Sequence, residues 1–219
     1  MKVAIDGPAG AGKSSIAKAV SKKLGFVYID TGAMYRAVAV YAIEKGIEIK
    51  EENFTKEVLD EIKIDIAYED GTQKIFLLGK DVSERIREAD VSIGASNVAV
   101  IPAVRLKLVE LQRTLAEKTS VIMDGRDIGT YVLPDAEVKI FLTASSDVRA
   151  KRRLLEMKEK GMEADFETVK RDIEYRDKND SEREFAPLRQ AEDAVLVDTS
   201  EMTIDEVIER ITEIIGEEK

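Results

Sequence analysis

Gly7-Pro-Ala-Gly-Ala-Gly-Lys-Ser14 is the stretch of this chain that decides its fold, and it fits the pattern G-x-x-x-x-G-K-[ST]. Lys2–Asp6, apolar at its centre, predicts a strand before it, and Ser15–Val20 predicts the start of a helix after it. In that context the backbone N–H groups of the turn and the helix dipole form a cradle for an anion. The alternative is a glycine-rich turn that binds nothing, and the flanking strand and helix argue against it.

The residues of this loop have separate expected roles in holding a nucleoside triphosphate. Lys13 can reach the terminal phosphates, and the Ser14 hydroxyl can bind Mg²⁺. The other expected contacts with the nucleotide come from the rest of the loop and the next residue, namely Gly7, Pro8, Ala9, Gly10, Ala11, Gly12 and Ser15.

Composition narrows the classes of function. A net charge of −10 argues against a general nucleic-acid binder, whose binding surface is basic. The chain has no histidine, which excludes Ser-His-Asp hydrolysis but not phosphoryl transfer. It has no cysteine, which excludes disulfides and thiolate metal sites and suits the cytoplasm. No apolar run approaches the roughly 20 residues of a membrane span, and Met1 leads directly into a strand, so we expect neither a membrane segment nor a secretory leader.

Apolar runs alternate with helical patterns, which predicts an α/β fold with a parallel sheet of about five strands covered by helices on both faces. The predicted strands are Val3–Ile5, Phe26–Ile29, Val121–Met123, Val138–Leu142 and Ala194–Val197. The predicted helices are Lys13–Leu24, Ala33–Lys45, Ala103–Lys118, Asp147–Lys160, and a last helix that opens with the capping box Thr203–Glu206 and stops at Gly216.

A small antiparallel insertion interrupts this alternation. The β-prone runs Ile62–Tyr68 and Gln73–Leu78 flank Asp70-Gly71, a dipeptide that favours a tight hairpin turn. A helical stretch from Ser83 to about Val100 is predicted to follow the hairpin.

An arginine-bearing region near the carboxyl end suggests a helical lid. The polar segment Glu163–Arg189 contains the turn-rich Asp177–Ser181 and is interpreted as a mobile excursion outside the core. Considered alone, each of these arginines would be interpreted as a surface residue. As a group on an acidic chain, they suggest a lid whose cations close onto transferring phosphates. The arginines in question are Arg149, Arg152 and Arg153 on one helix face, followed by Arg171, Arg176, Arg183 and Arg189.

Two polar clusters come directly after predicted strands. Asp30–Arg36 places the Thr31 hydroxyl and the Arg36 guanidinium at a helix entrance; the alternative is that Thr31 caps the helix and Arg36 is solvated. Asp124–Asp127 places an acid at a strand end near the phosphate loop, where Asp124 can hold Mg²⁺; the alternative is a solvated turn.

The chain resembles the bacterial cytidylate kinases of the nucleoside monophosphate kinase superfamily over nearly its whole length. The hairpin insertion also resembles the extra substrate-side sheet of that family. The motifs that carry the resemblance are Ile5–Ser15, Asp30–Arg36, Asp124–Thr130, Val138–Ser146, Arg176–Asp180 and Ala186–Leu188.

The resemblance implies phosphorylation of CMP and dCMP by ATP with Mg²⁺, through direct in-line transfer, in a cytoplasmic monomer that binds small nucleotides and neither nucleic acid nor membrane. It also implies a single P-loop kinase domain over 1–219. Its core would be about 1–50, 101–150 and 190–219, its nucleoside monophosphate-binding region about 31–100, and its lid about 151–185.

The resemblance further assigns roles to individual residues. The implied catalytic set is Lys13, Arg126, Arg153 and Arg176, with Arg149 at ATP and Ser14 and Asp124 at the metal. The implied acceptor-binding set is Arg36, Arg126 and Arg176 at the phosphate, Asp180 and Arg183 near the ribose, Ser96, Arg105 and Asp127 at cytosine, and Thr31, where many relatives carry Ser. A carboxylate can accept from the cytosine N4 amino group, while Arg and Ser can donate to N3 and O2. For Arg105, a solvated helix position is the alternative.

Three rival functions are weaker. The nearest rival is a P-loop kinase for another small acceptor, such as a different nucleotide or shikimate, and a strong preference for UMP or AMP over CMP would favour it. A GTP-dependent switch requires an Asn-Lys-x-Asp stretch, and Lys178-Asn-Asp180 has the wrong order. A structural or interaction protein leaves the arginines unexplained.

Overall fold

The computed structural model describes residues 1–69, 72–159 and 161–217. Within them the chain forms eight strands, which are β1 (Lys2–Asp6), β2 (Val27–Asp30), β3 (Ile64–Glu69), β4 (Thr72–Leu77), β5 (Lys80–Asp81), β6 (Val121–Gly125), β7 (Val138–Thr143) and β8 (Val195–Asp198). The helices are α1 (Lys13–Leu24), α2 (Thr31–Lys45), α3 (Lys56–Glu61), α4 (Ala89–Val98), α5 (Pro102–Ala116), α6 (Ser146–Glu159), α7 (Phe166–Glu182) and α8 (Ile204–Glu217).

A five-stranded sheet has the order β2-β6-β1-β7-β8, and β1 pairs in parallel with both β6 and β7. All five strands predicted for this sheet are confirmed, as is the α/β fold class. The register sets Ile5 opposite Asp124 and Asp6 opposite Gly125, so the carboxyl ends of β1 and β6 lie side by side. In an open α/β sheet this edge is where ligands bind.

One hydrophobic core packs α1 and α8 against this sheet. Both helices present aliphatic residues three and four positions apart, the spacing of one helix face. The buried members of this core are Val3, Ile5, Ile16, Ala17, Val20, Ile122, Val138, Ile140, Leu142, Val197, Val207, Ile211, Ile214 and Ile215.

The chain divides into two compact units. Unit 1 comprises Met1–Tyr28 and Thr119–Lys219, and unit 2 comprises Ile29–Lys118, so the division falls within β2. In unit 2, β3 pairs antiparallel with β4 and β4 with β5, while α2 packs against α4 and β4. No single helix among the described residues is long and apolar enough to span a membrane; α4 and α5 meet that test only as a pair, bent by 99°.

The predicted hairpin is confirmed by its strands, because Glu69 of β3 faces Thr72 of β4. The predicted turn, Asp70-Gly71, lies outside the described residues. The two-residue strand β5 was not predicted. The helical stretch predicted from Ser83 to Val100 is broken into a short 3₁₀ turn, Arg85–Arg87, and α4.

Helix termini follow their local signals in most cases. Gly25 and Gly46 end α1 and α2 with φ of +70° and +66°, as predicted. The capping box at α8 is formed: the Thr203 backbone N–H donates to Glu206 at 2.8 Å, and the Glu206 N–H donates to the Thr203 hydroxyl at 3.3 Å. The predicted stop at Gly216 is wrong, because α8 continues to Glu217.

Most of the segment Glu163–Arg189 is the 17-residue helix α7, which agrees with the predicted helical lid, but the turn predicted inside it is wrong. The predicted turn Asp177–Ser181 lies within that helix. Its N-cap is Asp165, which accepts from the Thr168 N–H at 2.9 Å, and Val169 and Ile173 are buried with Ala150 of α6. This apolar spacing of four residues outweighs the turn preference of the Asn and Asp residues.

Gly7 is the tightest point of the phosphate loop. Its φ is +149°, and a Cβ atom built on it would lie 1.9 Å from the Leu142 carbonyl oxygen. The loop therefore leaves β1 by passing directly against the backbone of β7.

We expect Gly7→Ala to lower the free energy of unfolding by about 4 kcal/mol or more, because a backbone carbonyl has to move. Gly25→Ala is the matched control: it also has positive φ but meets nothing within 4 Å, so it costs only about 1 to 2 kcal/mol. Urea unfolding measures both. Equal losses for the two variants would show that the contact with Leu142 does not constrain the loop.

Candidate active site

The phosphate loop presents an uncapped helix end. Gly12, with φ +87°, precedes α1, and no side chain among the described residues caps this helix. The first N–H groups of α1 are therefore available to an anion. Ser14 and Ser15 are exposed in its first turn.

Lys13 is buried beside this loop, with 5% of its surface exposed. Its Nζ donates to the Pro8 carbonyl oxygen at 2.8 Å, so the side chain folds back over the loop. Burial, followed by the positive charge of Arg126, lowers the pKa of Lys13 to about 7. An anion bound in the loop favours the charged form of Lys13.

A hydroxyl and a carboxylate suited to Mg²⁺ meet at the end of β6. The Ser14 hydroxyl donates to Asp124 Oδ2 at 2.8 Å, and the Tyr28 hydroxyl donates to Asp124 Oδ1 at 2.8 Å. Among the described residues, no group of three or more acidic side chains is placed to hold a metal ion. Mg²⁺ commonly takes only one or two protein ligands beside phosphate oxygens and water, so the Ser14–Asp124 pair fits that ion.

Two ion pairs organise the loop that follows β6. Arg126 Nε donates to Asp180 Oδ2 at 2.7 Å, and Arg183 Nη2 donates to Asp127 Oδ1 at 3.0 Å. The side chains of Arg183 and Asp127 are only 2% and 6% exposed, so this is not the solvated turn of the alternative interpretation. Arg183 Nη1 also lies 3.8 Å from Asp180 Oδ1, which joins the two pairs into one network.

Asp6 was not predicted as a site residue. Its carboxylate, at the end of β1, accepts the backbone N–H groups of Ile128 at 2.8 Å and Gly129 at 2.7 Å. Burial raises the pKa of Asp6 to about 6, against the lowering effect of these two hydrogen bonds. The only sequence signal was an acid at the end of an apolar strand.

The lid arginines contact different parts of unit 1. Arg149 Nη1 donates to the Ala9 carbonyl oxygen at 2.8 Å and to Asp177 at 2.6 Å. Arg152 instead donates to the Thr199 hydroxyl at 2.9 Å. Arg153 pairs with Glu156 on its own helix at 3.0 Å.

Arg176 is half-buried on α7, directly before Asp177. Sequence reasoning missed Asp177, which accepts the Ala9 N–H at 3.0 Å.

In unit 2, Asp30 rather than Thr31 caps α2. The Asp30 carboxylate accepts the Ala33 N–H at 2.9 Å and the Arg36 Nη2 at 2.9 Å. The alternative in which Thr31 caps the helix is therefore wrong: Thr31 is the buried first residue of α2, and the predicted start at Ala33 is two residues late. Gln73 was also missed; its amide accepts from the Asp30 N–H at 2.9 Å.

Arg105 is buried and not solvated, with 1% of its surface exposed. Its Nη1 donates to the Ala99 carbonyl oxygen at 3.2 Å, and its guanidinium lies 5.5 Å from the centre of the Tyr35 ring. Ser96 is half-buried on α4. Burying an arginine is costly unless it has partners, and the Ala99 carbonyl and the Tyr35 ring offset that cost.

The predicted site residues thus fall into two groups. Unit 1 holds the phosphate loop with Asp124, Arg126, Asp127, Arg149, Arg153, Arg176, Asp180 and Arg183. Unit 2 holds Thr31, Arg36, Ser96 and Arg105.

A family model described as "Cytidylate kinase" matches residues 3–217. The chain belongs to the cytidylate kinase family. The cytidylate kinase of Caldicellulosiruptor saccharolyticus is 53% identical over 214 residues, which cover 98% of this chain and 95% of that protein. The cytidylate kinase of Lactobacillus johnsonii is 53% identical over 215 residues, covering 98% and 94%.

Solved structures share the fold at low sequence identity. An uncharacterised protein from Eubacterium ventriosum has a TM-score of 0.53 at 19% identity, covering 99% of this chain and 98% of that one. TT1252 from Thermus thermophilus has a TM-score of 0.50 at 15% identity, covering 100% and 97%. These structures support the fold alone, whereas the family match supports membership of the cytidylate kinase family.

We expect Arg183→Met to lower the free energy of unfolding by about 3 to 5 kcal/mol, because it removes the guanidinium from a buried carboxylate. The double variant Arg183→Met/Asp127→Asn should lose less than the sum of the two single variants. Urea unfolding of all three variants completes the cycle. A loss below about 1 kcal/mol for Arg183→Met, the value typical of a surface pair, would contradict this interpretation.

Proposed function

We propose that this member of the cytidylate kinase family transfers the terminal phosphoryl group of ATP to CMP or dCMP, giving ADP and CDP or dCDP. One observation carries the proposal. The phosphate loop follows β1 and the Arg126–Asp127 loop follows β6, and these two strands are hydrogen-bonded in parallel register. The loop proposed for the donor and the loop proposed for the acceptor therefore lie side by side at the same edge of the sheet.

On the donor side, the N–H groups of the loop and of the first turn of α1 hold the phosphates of ATP. Lys13 stabilises the negative charge that spreads over the transferred group, and Arg149 approaches from α6. Ser14 and Asp124 hold Mg²⁺, which supplies charge neutralisation at the phosphate oxygens.

On the acceptor side, Arg126, Arg176 and Arg36 hold the phosphate of CMP. Asp180 and Arg183 lie near its ribose, while Asp127, Arg105 and Ser96 read the base, and Thr31 contributes a hydroxyl. The Asp127 carboxylate accepts from the N4 amino group of cytosine, whereas the O4 of uracil would be repelled. Residues 31–100 serve the acceptor and residues 151–185 act as a lid that excludes water, with Arg153 and Arg176 reaching the transferred group on closure.

The CMP phosphate is itself the nucleophile. It is largely deprotonated at neutral pH, so the reaction needs no strong general base, which suits a chain without histidine. Catalysis is then positioning and charge stabilisation in a single in-line step. We further propose that the protein acts on free nucleotides as a cytoplasmic monomer.

A coupled assay for ADP formation tests the proposed function. With ATP as donor, CMP and dCMP should be used with the highest kcat/KM among CMP, dCMP, UMP, AMP and shikimate. A preference for UMP or AMP over CMP would contradict the cytosine assignment, and GTP binding without phosphoryl transfer would favour a switch.

Binding of a non-hydrolysable ATP analogue with Mg²⁺ at about pH 8 should take up about one proton. Lys13, whose pKa is about 7 in the free protein, is mostly neutral at this pH, and the bound phosphates raise its pKa. The uptake should disappear below about pH 6, where Lys13 is charged in both states. Calorimetry in buffers of different ionisation enthalpy measures it.

Lys13→Met is the control for this experiment. It should show no uptake, and it should lose turnover by about 100-fold or more, the loss expected when charge stabilisation is removed from a transition state. Proton uptake that persists in Lys13→Met would assign the titration to another group.

Asp127→Asn should lower kcat/KM for CMP by about 100-fold or more, while the KM for ATP changes by less than about threefold, because Asp127 reads only the acceptor. Asp193→Asn is a matched control that removes an ion-paired carboxylate, from Lys139, outside the proposed site. Steady-state kinetics with each nucleotide varied in turn provides the comparison. An equal loss for ATP and CMP would place Asp127 at the metal instead.

A further inference from the structure

Asp177 forms a closed ring of contacts with the phosphate loop. Its Oδ1 accepts the Ala9 N–H at 3.0 Å, and its Oδ2 accepts Arg149 Nη1 at 2.6 Å. The same Arg149 nitrogen donates to the Ala9 carbonyl oxygen at 2.8 Å. The backbone N–H of Ala9 is therefore bound by a side chain from α7, and its carbonyl oxygen is bound by a side chain from α6.

The same helix also holds the acceptor loop. Asp180 lies three residues after Asp177, on the same side of α7, and pairs with Arg126 at 2.7 Å. Helix α7 is thus hydrogen-bonded at adjacent turns to the loop after β1 and to the loop after β6. A shift of α7 toward either loop has to change its contacts with the other.

Other contacts also hold α7 against α6. Val169 and Ile173 of α7 pack with Ala150 of α6, and Lys170 pairs with Asp147 at 2.7 Å on the exposed side of the two helices. The ring at Ala9 differs in its burial, because the Arg149 side chain is only 8% exposed and that of Asp177 is 23% exposed. Charge pairs withdrawn from water have stricter geometry than exposed ones.

We propose that Asp177 is a positioning residue that ties the phosphate loop to α7, so that binding of ATP and binding of CMP strengthen each other. The inference deepens the proposed function and rests on it. ATP bound in the phosphate loop stabilises one arrangement of Ala9, Asp177 and α7, and that arrangement places Asp180 and Arg126 for the acceptor. By linkage, CMP strengthens ATP binding by the same factor.

The coupling factor is the decisive readout, not the affinity for ATP. Removing a negative charge near bound phosphates by itself tightens ATP binding, whether Asp177 couples the two sites or has only a structural role. The coupling factor is the affinity for ATP in the presence of CMP divided by the affinity for ATP in its absence. If Asp177 has a merely structural role, its replacement changes the affinities for ATP and CMP but leaves this factor unchanged.

Titration calorimetry of a non-hydrolysable ATP analogue, with and without saturating CMP, measures that factor in the full chain. We expect about fivefold or more for the unmodified protein and less than about twofold for Asp177→Asn. Asp147→Asn is the matched control, since it removes a second ion pair between α6 and α7, and it should keep the full factor. Thermal melting checks that the variants fold, and Asp177→Ser is a second variant with the same expected loss.

The proposal is overturned if Asp177→Asn keeps the coupling factor, if Asp147→Asn loses as much, or if the unmodified protein shows no coupling. Formation of CDP by the unmodified protein separates this result from the proposed function. A protein that makes CDP while Asp177→Asn retains full coupling would refute only the role of Asp177.

Discussion

The buried carboxylate of Asp6 is the constraint on which the rest of the site depends. It stands at the last position of β1, next to the phosphate loop, and it holds the N–H groups of Ile128 and Gly129 in the loop after β6. A carboxylate withdrawn from water needs such donors, and these backbone donors need an acceptor, so neither side is easily replaced. Gly129 leaves little room for change, because an added Cβ would lie 3.4 Å from Asp6 and 3.1 Å from Lys139. Asp6 therefore ties the backbone of the loop after β6, at Ile128 and Gly129, to the end of β1.

Several cations gather in unit 1 of this acidic chain, most of them paired with carboxylates. With a net charge of −10, the protein still places Lys13, Arg126, Arg149 and Arg183 together in unit 1, each held by a carboxylate or a backbone carbonyl. These partners orient the cations in the free protein, and such preorganisation would lower the reorganisation required in the proposed reaction. The lowered pKa of Lys13 shows the cost of this concentration, since burial and Arg126 disfavour its charged form.

Much of this architecture could be predicted because its signals are local. The G-x-x-x-x-G-K-[ST] stretch, the apolar strands and the glycines at 25 and 46 depend on neighbours in the sequence. The helical course of α7 through Asp177–Ser181 could not be predicted in the same way, because its Asp and Asn residues imitate a turn-rich segment while Asp177 and Asp180 contact the loops after β1 and β6. The burial of Arg105 could not be predicted either, because it depends on the packing of unit 2 and not on neighbouring residues in the sequence. The contacts of Asp6 and Asp177 join backbone groups more than a hundred residues away, and no local pattern encodes such a pair.

The central claim is that the phosphate loop binds the donor and that the loop after β6 selects the acceptor. A crystal structure with CMP and a non-hydrolysable ATP analogue tests it most directly. The account predicts the triphosphate on the N–H groups of residues 7–14 and the cytosine N4 amino group within hydrogen-bonding distance of the Asp127 carboxylate. Cytosine bound away from Asp127, or Asp127 turned toward the metal with Asp124, would contradict it.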